Sequence, residues 1–150
     1  MPLNIVLIEP EIPNNTGNIG RLALASGSHL HLVKPFGFKI DDTRLKRAGL
    51  DYWHHLEITY YNSTEEFFKI HKDKNMVFLS SHGEKKHWDI PFKDDIFLVF
   101  GKESVGLPKQ LLKQHPDRLY KIPLYSKHVR SLNLANAVSI VVYEGLKHIQ

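Results

Sequence analysis

At 150 residues without a cysteine, the chain is long enough to bury one core as a single domain over 1–150, and disulfides, thiolate zinc sites and a cysteine nucleophile are excluded together. A formal charge of +4 and ten histidines favour an acidic partner, although a lysine excess that only solvates the surface reads the same way. Met1-Pro2-Leu3-Asn4 carries no basic stretch leading into an apolar run, and no window approaches the roughly 18 apolar residues of a membrane span, so the expectation is a soluble, unprocessed, cytoplasmic protein with no membrane association.

Asn4 to Ile8 reads as a short, β-branched strand buried on both faces, ended by a loop at Pro10, Pro13, Asn14 and Asn15. Between Asn18 and Ser26 the apolar positions Ile19, Leu22 and Ala23 share one helical face, and Gly27 suits a C-terminal cap. A strand at about Leu30 to Val33 completes a strand, loop, helix, strand unit, the building block of parallel sheets. Asp42 to Leu56 mixes basic, aromatic and histidine side chains and predicts a short helix and a turn. Ser63 and Glu66 have capping-box spacing ahead of Phe67, Phe68 and Ile70, which predicts a helix to about His71. Met76 to Ser80 and Ile96 to Phe100 read as strands, with a helix opening at Pro108. Tyr120 to Pro123 reads as the last short strand, and Leu132 to His148 as a long closing helix. Strands alternate with helices without repeat, linker or low-complexity tract, which predicts an α/β fold with a parallel sheet flanked by helices.

Three loops follow apolar strands, where open parallel sheets bind ligands. In Asn14-Asn15-Thr16-Gly17-Asn18-Ile19-Gly20-Arg21 the glycines admit close approach, and Arg21 could hold a phosphate or an oxyanion. A glycine turn feeding a helix with a solvated arginine is the plainer alternative. In Gly101-Lys102-Glu103-Ser104-Val105-Gly106-Leu107-Pro108 two glycines flank a carboxylate and a hydroxyl before a helix, so the loop is either a cradle for a polar cofactor or an ordinary connection. It matches neither the triphosphate-binding loop nor the dinucleotide fingerprint. The third runs from Ile122-Pro123-Leu124-Tyr125 through Lys127 and Arg130-Ser131-Leu132-Asn133 to Asn136, with polar groups that could cap a helix or meet a ligand beside two cations. The histidines show no metal-binding spacing, and adjacent His54 and His55 diverge in any regular element, so no metal is expected. Asp41-Asp42 and Asp94-Asp95 read as solvated turn residues.

Taken in order, these loops resemble the three signature motifs of the SpoU/TrmH-type SPOUT RNA 2'-O-methyltransferases: Asn15 to Arg21 the first, Gly101 to Pro108 the second, and Ile122-Pro123 through Arg130 to Asn136-Ala137 the third. Ile5 to Pro13 and Arg47 to Trp53 are similar to the small tRNA (cytidine/uridine) wobble 2'-O-methyltransferases. Ala135 where close relatives often have serine, and the variable Gly20, are minor departures.

The resemblance implies a C-terminal deep trefoil knot, an exception to the rule against threaded chains. It implies S-adenosylmethionine, with S-adenosylhomocysteine as product, held against Leu79, Ser80 to Gly83, Gly101, Glu103, Ile122, Pro123, Leu124, Ser131 and Leu132. An adenine slot between Ile122 and Leu124 is chemically reasonable, since apolar walls sandwich the ring while main-chain groups read its edge. By the same resemblance Arg21 stands at the reacting 2'-hydroxyl, with Asn15, Glu103, Ser131 and Asn133 as neighbours. The implied partners are tRNA, gripped by Arg44, Lys46, Arg47, Lys127 and Arg130, and a second copy in a homodimer. The competing expectations are the same chemistry on ribosomal RNA or another tRNA position, a non-catalytic knotted RNA-binding protein, and a generic nucleotide-binding enzyme.

Overall fold

The computed structural model describes residues 2–41 and 43–149, apart from the side chains of residues 46 and 48–51. Its framework is a seven-stranded sheet in which every pairing is parallel: β1 (Leu3–Ile8), β2 (His29–Val33), β3 (Ile58–Tyr61), β4 (Met76–Leu79), β5 (Lys85–Lys86), β6 (Ile96–Phe100) and β7 (Leu119–Lys121), ordered β3-β2-β1-β6-β4-β7-β5. All six residues of β1 and all five of β6 are buried, because these central strands are covered on both faces.

Alternation along β1 divides the core. Leu3, Ile5 and Leu7 join Ile19, Ala23, Val138, Val141 and Val142 under α1 (Pro13–Ser26) and α5 (Leu134–Ile149), with α2 (Thr43–Trp53) packed against α1. Val6 and Ile8 join Phe67, Phe78, Phe97 and Leu111 under α3 (Thr64–Ile70) and α4 (Lys109–Gln114). Helices on both faces of a parallel sheet are the expected α/β architecture.

Most elements lie where the periodicity places them. One half of the capping box forms, the Glu66 amide donating to Ser63 Oγ at 3.0 Å, while the Glu66 carboxylate accepts from the amide of Asn62, one residue before the cap. Gly27 ends α1 in the left-handed conformation with φ 67°. The largest difference is at the start of α1, which begins at Pro13 rather than Asn18. Pro13 occupies the first helical position, where its missing N–H costs nothing, and Ile12 offers no capping side chain. Neither β3 nor β5 was foreseen: each is an edge strand, and β5 is only two exposed lysines with no hydrophobic alternation to read. Asp95 is more than a solvated turn residue, since its carboxylate accepts from Asn4 Nδ2 at 2.9 Å while its backbone turns at φ 69°. Asp42 lies outside the described residues.

Candidate active site

A cleft of about 490 Å³ opens at the carboxyl ends of β4, β6 and β7, lined by the loops that follow them and by the start of α5. This is where an open parallel sheet receives a ligand, and the volume suits a nucleoside-sized one. Leu79, Ile122, Leu124, Leu132 and Leu134 provide apolar walls, and Ser80, Glu103, Ser131 and Asn133 provide polar groups.

The loop after β6 is shaped by its glycines. A Cβ on Gly101 would stand 2.1 Å from the Gly106 carbonyl carbon, so a side chain there is incompatible with the closed turn. The Gly106 amide closes that turn by donating to Lys102 O at 2.9 Å, with Gly106 at φ 72°.

Closure aims the Glu103 carboxylate at the start of α1. It accepts from the amides of Glu11 at 2.8 Å and Ile12 at 3.0 Å, and from Asn15 Nδ2 at 3.2 Å. A carboxylate at a helix N-terminus satisfies orphan donors and faces the positive end of the helix dipole. Glu103 is therefore the missing cap of α1, supplied from 92 positions beyond Glu11. Asn15 Oδ1 then accepts from Asn133 Nδ2 at 3.0 Å, and Asn133 Oδ1 accepts from the Asn136 amide at 3.2 Å, which caps the first turn of α5. One run of hydrogen bonds thus joins all three sequence motifs. Its consequence is that both Glu103 oxygens take part in positioning, Oε1 with one hydrogen bond and Oε2 with two.

Two contacts on the same rim escaped the sequence reading. Glu9 turns the chain out of β1 at φ 53° and pairs with Lys102 at 3.1 Å. Glu11 accepts from the Ser104 amide at 2.8 Å, and hydrogen bonds from Ser104 hold its carboxyl below the usual carboxylate range. Two carboxylates flanking Pro10 directly after a buried strand were the available signal.

The expected site residues divide into groups. Asn15, Leu79, Ser80, Gly101, Glu103, Ile122, Leu124, Ser131, Leu132 and Asn133 all line the cleft, as does Arg130. Pro123 and Gly83 lie beside it rather than on its wall; the Gly83 amide closes a turn onto Ser80 O at 3.1 Å. Arg21 is not on the wall of the cleft: it is exposed, with its guanidinium over the Tyr52 ring at 5.0 Å. Arg44 and Arg47 line a separate hollow of about 260 Å³ with Asn14 and Asn18. Lys127 is exposed outside the cleft, and the Lys46 side chain lies outside the described residues. Among the described residues no group of three or more His, Cys, Asp or Glu could hold a metal, and no helix is long and apolar enough to cross a membrane.

With this geometry in view, comparison with known proteins decides the family. The model of the SpoU rRNA Methylase family matches residues 2–143. The chain belongs to the SpoU methylase family. A Bacillus subtilis (strain 168) relative is 46% identical over 148 residues, 97% of this chain and 92% of its own. The tRNA (cytidine(34)-2'-O)-methyltransferase of Escherichia coli (strain K12) is 42% identical over 148 residues, 98% of this chain and 94% of its own. A solved structure described as "Structural insights into the 2-OH methylation of C/U34 on tRNA" superposes with a TM-score of 0.91 at 41% identity, covering 97% of this chain and 94% of that one. The parallel sheet flanked by helices is the SpoU methyltransferase fold, and the chain is a member of an enzyme family that transfers methyl groups.

Proposed function

We propose that this protein transfers a methyl group from S-adenosylmethionine to the ribose 2'-hydroxyl of the wobble nucleotide of tRNA, position 34, a cytidine or modified uridine, acting in the cytoplasm as a homodimer. The observation that carries the reading is the convergence of the second and third motifs on one cleft, joined to the first through Glu103, Asn15 and Asn133. Its 42% identity to the E. coli enzyme over nearly the full length of both chains supports the substrate.

The residues present fit S-adenosylmethionine. Ile122, Leu124 and Leu132 offer apolar faces for an adenine ring, and a structure described as an "AdoMet bound rRNA methyltransferase" from Sinorhizobium meliloti has the same fold, at 26% identity and a TM-score of 0.87 over 99% of this chain and 57% of that one. When bound, the cofactor supplies an electrophilic methyl group and leaves as S-adenosylhomocysteine. The C-terminal trefoil knot of this reading would hold the cofactor against Leu79, Ser80 to Gly83, Gly101 to Glu103, Ile122 to Leu124 and Ser131.

Arg21 is assigned to the 2'-hydroxyl. Arginine stays protonated, so its part is to orient the hydroxyl and stabilise the negative charge that develops on the oxygen. Because Arg21 stands off the cleft of its own chain, the homodimer is integral to the proposal: Arg21 would serve the cleft of the second copy. Exposed Ile140 and Tyr143 on α5, which packs beside α1, supply apolar surface for such pairing. Arg44, Arg47, Lys127 and Arg130 would hold phosphates, and the Lys46 assignment remains part of the same proposal.

The test is methyl transfer from labelled S-adenosylmethionine to tRNA pools, with the product nucleotide mapped by mass spectrometry. The expected result is a 2'-O-methyl at position 34 that disappears in Arg21→Ala while cofactor binding survives. Methylation elsewhere, or of ribosomal RNA, overturns the substrate; cofactor binding without transfer to any RNA overturns the enzyme; turnover retained in Arg21→Ala removes that residue.

A further inference from the structure

The loop after β2 carries an aromatic stack that the methyl-transfer chemistry does not use. Phe36 and Phe38 lie with ring centroids 5.7 Å apart and planes 15° apart, and Tyr60 on β3 meets Phe36 edge-on at 6.4 Å. Phe36 is packed onto the core together with Ile40, which anchors the stack, while Phe38 is half-buried and Tyr60 is 40% exposed.

This loop is tied to the cleft. The Gly37 amide, between the two phenylalanines, donates to Pro10 O at 3.0 Å, and a Cβ at Gly37 would stand 2.8 Å from Glu11 Cα. Only glycine lets the loop seat this closely. Glu11 in turn is held by Glu103 and Ser104, both on the cleft wall. The stack therefore sits against the same rim, at the carboxyl end of the neighbouring strand.

Its setting is basic. Exposed Lys34 and Lys39 bracket the two phenylalanines, while the acidic pair Asp41-Asp42 follows them in the sequence, at the entry to α2. Beside the first turns of α1, Arg44 and Arg47 line the second hollow. A ring stack between cations suits a planar partner carrying negative charge. Proteins that read unpaired RNA use this combination, continuing the base stack on aromatic side chains while cations follow the backbone.

We propose that the Phe36–Phe38 stack docks an unpaired nucleobase next to the nucleotide being methylated, with Lys34 and Lys39 against the adjoining phosphates. The proposal rests on the RNA-methylating reading above. A ribose presented to the cleft has to be drawn away from its neighbours, and a base that loses its stacking partner recovers one on Phe38.

The experiment titrates the full-length protein with an RNA hairpin carrying 2-aminopurine in its single-stranded loop, whose fluorescence responds to stacking. The expected result is a fluorescence change on binding to wild type that is lost in Phe38→Leu, which keeps apolar contact with Phe36 but has no ring. Affinity should fall about tenfold, the KM for tRNA should rise with kcat nearly unchanged, and Phe38→Trp should restore all three. Lys39→Ala should lower the salt dependence by about one ion while the fluorescence change remains. S-adenosylmethionine binding and the melting temperature, measured on each variant, report an intact fold. Wild-type fluorescence and affinity in Phe38→Leu overturn the platform alone; a wild-type protein that neither binds the hairpin nor methylates RNA overturns the RNA reading and the platform with it.

Discussion

Two hydrogen-bonded networks cross this sheet, built from similar side chains with opposite outcomes. At the carboxyl ends of the strands, Glu103, Asn15 and Asn133 connect residues 88 to 118 positions apart and border the open cleft. On the face covered by α3, Asp95, Asn4, His31, Tyr61 and His71 form a second run: Asn4 Oδ1 lies 2.9 Å from His31 Nε2, His31 Nδ1 lies 2.7 Å from the Tyr61 hydroxyl, and that hydroxyl lies 2.8 Å from His71 Nε2. His31 is 2% exposed and ringed by Phe67, Phe97 and His71. The first network leaves Asn133 exposed at a cavity; the second uses both His31 ring nitrogens and runs from exposed Asp95 to half-buried His71, away from the cleft. A buried amide or histidine therefore marks a site only where its network opens beyond the strand ends; elsewhere it welds the sheet.

The largest way to break the comparison is Glu103→Ala. It strips the acceptor from two amides and from Asn15 together, and each bond to a charged group contributes about 1.5 to 3 kcal/mol. Methyl transfer should fall by about a hundredfold or more as Asn15 and Asn133 lose their register, with the melting temperature also lowered. Near wild-type turnover in a folded Glu103→Ala protein would show that the network does not position the site.

His31→Leu makes the converse cut. It leaves Asn4 Oδ1 without its partner and removes one of the two partners of the Tyr61 hydroxyl, with an expected loss of about 2 to 3 kcal/mol in unfolding free energy. Turnover per folded molecule should be unchanged, because the cleft wall contains none of these residues. Urea denaturation beside single-turnover kinetics separates the two effects, and a rate defect at full folding would join the two networks.

How much of this was legible follows from the range of the interactions. Periodicity located β1, β6, α5 and the Ser63 cap because those signals lie within a few residues. The cleft walls at Gly101, Glu103, Ile122 and Ser131 were legible from loops after apolar strands and from the family resemblance. The start of α1 was not, because its cap is Glu103, far along the chain, and local sequence at Pro13-Asn14-Asn15 looks like loop. The role of Glu103 was half legible: its place beside the site was expected, its work as a helix cap was not. His31 was unremarkable in a strand of alternating His-Leu-His-Leu, since its partners Asn4, Tyr61 and His71 meet it only through strand order. The separation of Arg21 from its own cleft was likewise invisible, because a motif fixes order along the chain and not which surface of α1 faces the cavity.

The smallest effect sharpens the comparison through pH. Burial, followed by the nearby His29 and His71, pushes the His31 pKa down to about 3, and burial also lowers His29 and His71. In the unfolded chain a histidine protonates near 6.5. Between these values the unfolded state binds the proton and the folded state does not, so stability falls as pH drops below about 6.5, by up to roughly 1.4 kcal/mol per pH unit for each such histidine. Above 6.5 both states are neutral and His31 adds no pH dependence; near 3 the folded protein protonates and its share of the loss is complete. Urea midpoints followed from about pH 7 to about pH 5 should decline with a constant m-value, and His31→Leu should start lower yet decline less steeply, by one proton's worth. A variant slope as steep as wild type would move the acid sensitivity to the other histidines that burial holds below their usual range, His29, His71, His87 and His115, and would leave His31 without a titrating part in the network.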